Sequence, residues 1–212
     1  MLREELQSYL DKVYPNSKIN LPRSFSKEIH IRFELGGEQD LGSLKRVNQA
    51  VDRSLKLIND VFYNTEEVIV LIYDYNSLKS INGYLHNQFT QEAFKSFYNN
   101  VELINIECSS EIEMSPQDEK VKARIIIGKL PLKEINFENI LKGIANYEMG
   151  FDPAVEQNIL FFNTEKNIAF EMYDDRGCYV WSNSVSNIKD MYVKRNNWIV
   201  EYHKTEIEKQ FK

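Results

Sequence analysis

Apolar residues recur at three- and four-residue steps at Leu2, Leu6, Tyr9, Leu10 and Val13, which predicts a short amphipathic helix stopped by Pro15. Residues 15–27 are polar, contain Pro15 and Pro22, and read as a loop. Strict alternation follows in Ile29-His30-Ile31-Arg32-Phe33-Glu34-Leu35, the period of a strand with one buried face. Its other face carries His30, Arg32 and Glu34. Gly36 and Gly37 break that strand. The stripe Leu44, Val47, Val51, Leu55, Ile58 and Phe62 then predicts a helix over 44–62. Val68 to Tyr73 is continuously apolar and β-branched, as expected of a central strand covered on both faces.

The next stretch is less regular. Asn76, Ser77, Asn82 and Gly83 favour turns, and Phe89, Ala93, Phe94 and Phe97 would share a helix face. A strand is expected over 101–108, then a solvated acidic loop or hairpin end, since Glu107 to Glu119 holds five acids and no Lys or Arg. Val121 to Ile127 reads as a strand closed by Gly128 and Pro131. Asn136 suits the N-cap of a helix running to about Glu148, with Ile135 and Ile140 placed as a hydrophobic staple and Gly150 ending it. Ile159–Phe162, Ile168–Tyr173 and Cys178–Trp181 are strands joined by short polar turns, an antiparallel meander. Helices complete the chain from about Asn187 to Phe211, broken near Asn196 and Asn197. Strands that occur both singly between helices and as a consecutive trio predict an α+β fold: one domain over 1–212, with a mostly antiparallel or mixed sheet and helices packed on it.

Composition sharpens this picture. With 42% apolar and 12% aromatic residues, 212 residues are enough to build a substantial core. The formal net charge of −6 argues against general binding to nucleic-acid phosphates. Cys108 and Cys178 are too few for a disulfide scaffold and are expected as buried, reduced thiols. The first ten residues carry Arg3, Glu4 and Glu5 and lack the apolar stretch of a signal peptide. Val68–Tyr73 falls far short of the ~20 residues needed to cross a bilayer. A cytoplasmic chain without a membrane anchor is therefore expected.

Candidate chemistry is sparse. Gly37 and Gly42 have the spacing of a phosphate-binding loop, but Ser43 and Leu44 stand where Lys and Ser/Thr belong, and Glu38 and Asp40 would repel a phosphate. His30, His86 and His203 lie far apart without zinc-site spacing, and there is no G-x-S-x-G elbow. His203, four residues from both Ile199 and Ile207, reads as a packed helix histidine, although a distant Cys178–His203 pairing stays open. Asp174-Asp175-Arg176-Gly177 could ligate a hard cation or grip a polar substrate, yet Asp and Gly are also the residues of a hairpin turn. Neither a cofactor nor a metal is expected.

The C-terminal third, with Phe161-Phe162-Asn163, Ala169 to Gly177, Trp198-Ile199 and Tyr202, resembles a bacterial family catalogued as a domain of unknown function, number 3885. Ile31 to Gly36, Arg46, Asn48, Arg53 and Val61-Phe62 resemble it too. The run Tyr173-Asp174-Asp175-Arg176-Gly177 is the most specific part. Tyr179 departs from the pattern, which leads one to expect an acid there. The resemblance implies a bacterial, intracellular domain and brings no activity with it.

The expectation is a non-catalytic protein-binding domain, in its concrete form an immunity-type or antitoxin-like partner of a basic toxin, steered by the acidic segment. The alternative is an enzyme or small-ligand binder built on a polar face of Arg32, Glu34, Asp174, Asp175 and Arg176, which requires those side chains to converge. A homo-oligomeric structural domain is the third reading.

Overall fold

The computed structural model describes residues 2–20, 25, 28–74, 101–108 and 121–211, with 101–108 and 121–124 as backbone alone. The expected helix around Phe89–Phe97 and the acidic side chains of 107–119 lie outside the described residues. In chain order the elements are α1 (Leu2–Val13), β1 (Ile29–Glu34), α2 (Leu44–Val61), β2 (Glu67–Asp74), β3 (Val101–Cys108), β4 (Val121–Pro131), α3 (Phe137–Met149), β5 (Asn158–Asn163), β6 (Ile168–Asp174), β7 (Gly177–Ser182), α4 (Val185–Lys194) and α5 (Glu201–Gln210).

The strands form one seven-stranded sheet in the order β1-β7-β6-β5-β2-β4-β3, with every adjacent pair antiparallel. The fold is therefore α+β, with helices on the sheet. The predicted meander is its β5-β6-β7 portion. β2 lies between β5 and β4, and both of its faces are buried, as its unbroken apolar run requires.

The sheet separates two cores. Val70, Phe161, Phe170, Val180 and Ile31 lie in register across five strands and face the layer of α2 and α3. On the opposite face Ile69, Leu71, Ile125, Ile127, Leu160 and Phe162 pack against Leu6, Leu10 and Tyr14. Tyr14, just past α1, is fully buried and donates its hydroxyl hydrogen to the Asn167 carbonyl at 2.8 Å.

Local capping follows the sequence. Ser43 caps α2 by accepting from the Arg46 N–H, and Asn136 caps α3 by accepting from the Asn139 N–H. Gly150 ends α3 in the left-handed conformation at φ 69°. Gly128 does not close β4 as expected. It lies within the strand, paired with Val70 and Val101, and Pro131 is the last paired residue, where a missing N–H does least harm. Edge strand β1 is shielded by the segment before α5: Ile199 bridges Phe33, and the Val200 N–H donates to the Arg32 carbonyl at 3.1 Å.

Candidate functional site

The β6–β7 turn is tied inward. Asp174 accepts from the Arg176 backbone N–H at 2.7 Å and from its Nε at 2.8 Å, so this carboxylate organises its own turn. Asp175 is buried and pairs with Arg46 of α2, itself almost fully buried. The Arg46 Nη1 also donates to the carbonyls of Gly37 and Gln39, at 3.3 and 3.0 Å. Gln49 donates to the carbonyls of Leu35 and Gly36, and Arg53 to that of Glu34. The β1–α2 loop with phosphate-loop spacing is thus stitched to α2 and to the turn. Gly36 is needed because a Cβ there would strike the Arg46 guanidinium, and Gly37 sits at φ 54°.

Arg32 belongs to the other face of the sheet. Register aligns Ile127, Leu71, Leu160, Glu171, Tyr179 and Arg32 in one row across six strands. The row is apolar where α1 covers it and turns polar at Glu171. The Arg32 Nε donates to the Tyr173 hydroxyl at 2.9 Å, and its Nη1 donates to the Tyr202 hydroxyl from α5. Its guanidinium carbon lies 5.2, 5.6 and 5.1 Å from the ring centres of Tyr173, Tyr179 and Tyr202, within cation–π range. Burial raises the Tyr173 pKa to about 12 despite the opposing pull of Arg32, so its hydroxyl stays protonated. Burial and then the Arg32 charge lower the His203 pKa, which keeps that imidazole neutral at pH 7. Burial also raises the Glu171 carboxyl to about 7, against a hydrogen bond to Asn158.

The five residues expected to converge therefore divide. Arg32 anchors the tyrosine cluster. Glu34 is exposed at the end of β1. Asp174 and Asp175 are committed to Arg176 and Arg46. Arg176 lines a small cleft with Leu41, Gly42 and Met149, residues of the loop before α2 and of the end of α3. Cys178 is a buried core thiol whose pKa burial drives upward, whereas His203 lies edge-on against Tyr202. Among the described residues no group of three His, Cys, Asp or Glu could hold a metal ion, and no helix is long and apolar enough to cross a membrane.

Two features escaped the pattern reading. Glu171 is the one charged residue in the run Ile168–Tyr173, an interruption that could have marked it. The second is a groove of about 930 Å³ where α2 ends and β4 meets α3. Ile58, Phe62, Leu132 and Phe137 form its apolar wall, Tyr63 stands 69% exposed beside it with the Lys166 ammonium 5.6 Å from its ring centre, and Glu66, Glu67, Glu134 and Lys133 line it, Glu67 being paired with Lys129 at 3.5 Å. No sequence signal unites these distant positions.

The fold and these surfaces define an α+β domain in which Asp174 and Asp175 are tied to Arg176 and Arg46, and whose described surface offers a groove, a small cleft and an aromatic-ringed arginine. The chain belongs to the family of the domain of unknown function DUF3885, whose signature matches residues 6–203. It is also similar to the uncharacterized protein YnaE of Bacillus subtilis (strain 168), 29% identical over 76 residues. That match covers 33% of this chain and 36% of YnaE. No solved structure matches.

Proposed function

We propose that the protein is a non-catalytic protein-binding domain whose groove receives a basic segment anchored by an apolar side chain. The acid-lined apolar groove carries this reading. Its wall offers aromatic area for an anchor, and the carboxylates of Glu66 and Glu134, beyond the Glu67–Lys129 pair, favour a cationic neighbour of that anchor. The whole chain has the same sign of charge, with 32 acids against 26 Lys and Arg, which favours encounter with a basic partner. An immunity-type or antitoxin-like role, in which the partner is a basic toxin, is the concrete form of this proposal. A cytoplasmic setting belongs to the same reading.

Capture of a stoichiometric partner from native lysate at low salt, with release at high salt, is the expected behaviour. Glu66→Lys with Glu134→Lys should weaken that capture by roughly tenfold or more, since like charges placed in an interface act strongly against it. Arg32→Gln should leave it unchanged. No retained partner at low salt, or equal capture by the charge-reversed variant, would sink the proposal.

A further inference from the structure

We infer that Arg32 and its tyrosines form a binding site for a small oxyanion, a phosphate or carboxylate group. Of the five guanidinium N–H groups, the described residues engage one on Nε, with Tyr173, and one on Nη1, with Tyr202. Three remain. Arg46, Arg176 and Arg195 each pair with a carboxylate, of Asp175, Asp174 and Asp60 respectively, whereas Arg32 has no such partner among the described residues. Its surroundings are three tyrosine rings, with the His203 imidazole edge-on to Tyr202 and the His30 ring beside Tyr179.

The hydroxyls complete the case. Tyr173 and Tyr202 each accept a hydrogen bond from Arg32, which leaves their own O–H hydrogens to donate elsewhere. The site thus combines a fixed positive charge with a surplus of donors, the complement of an oxyanion. Partial burial of Arg32 strengthens the attraction relative to open water. Pre-positioning by two hydrogen bonds and three ring contacts lowers the entropy lost when an anion docks. The acids on this face, Glu34 at the end of β1 and Glu171 one strand beyond Tyr179, fall outside the hydrogen bonds of Arg32.

The test is a titration followed by amide chemical shifts, with inorganic phosphate in one arm, succinate in a second and chloride at matched ionic strength as control. Saturable shifts around β1, β7 and α5 with phosphate or succinate, and not with chloride, are expected; the responding arm identifies the oxyanion class. Arg32→Gln should lose roughly tenfold or more in affinity, and Tyr202→Phe, at an exposed side chain, a few-fold. Arg176→Gln should bind as the parent does. If Arg32→Gln fails to fold, Tyr202→Phe and Tyr173→Phe decide the matter. Parent-like affinity in both of these, parent-like affinity in a folded Arg32→Gln, or no response beyond chloride would overturn the inference.

Discussion

At single positions the sharpest expectations concern the buried pair of Asp175 and Arg46 and the half-buried Glu171. Asp175 and Arg46 neutralise each other out of contact with water, and removing one partner of such a pair strands the other charge. Asp175→Ala is expected to lower unfolding free energy by roughly 3–5 kcal/mol in urea titrations, and replacing both partners by apolar residues should be far milder. A loss under about 1 kcal/mol would mean that water reaches the pair. Glu171 gives a pH signature. Its folded carboxyl titrates near 7 against an ordinary value of 4.5, so the native state holds more protons than the unfolded chain between those limits. Stability should therefore fall as pH rises from about 4.5 to about 7 and level off above. Glu171→Gln should flatten that slope in denaturation midpoints measured across the range; an identical slope in the variant would refute the assignment. Glu171 stands out locally as the one charge in the apolar run Ile168–Tyr173, but the role of Asp175 does not. Asp175 looks like any turn aspartate until α2 delivers Arg46 to it.

At the level of elements, α1 stands out. It is short and its sequence is strongly charged, yet Leu6 and Leu10 are fully buried against β2, β4 and β5. Helices of this length are marginal alone in water, so its stability comes from that packing. Leu10→Ala should cost roughly 2–5 kcal/mol by calorimetry or denaturant unfolding, the range for a fully buried leucine that leaves a cavity. A negligible loss would show that α1 does not seal this face. The helix itself was legible because its apolar residues keep a helical period. Its partner face was not, because a helical stripe says that something is covered without saying what. The caps of α2 and α3 were local and were read correctly at Asn136. Gly128 misled because glycine marks a turn in isolation and is tolerated inside a strand flanked by two others.

Across the whole molecule, the sheet brings the first strand, β1, beside the last, β7, and sets β2 between β5 and β4. This order places Arg32 near Tyr202, a separation of 170 residues. It also places Phe62 near Phe137, with ring centres 6.0 Å apart, to wall the groove. The groove and the arginine cluster lie toward different ends of the strand order, so each can be altered without touching the other. Hydrophobic periodicity, turn residues and caps are short-range properties, and the sequence by itself determined the strands, helices and α+β class through them. Strand order, the split of the expected polar residues into separate environments, and the pairing of Arg46 with Asp175 were decided only by tertiary structure. Contacts between residues more than a hundred positions apart depend on how the strands assemble, and no local pattern records that assembly.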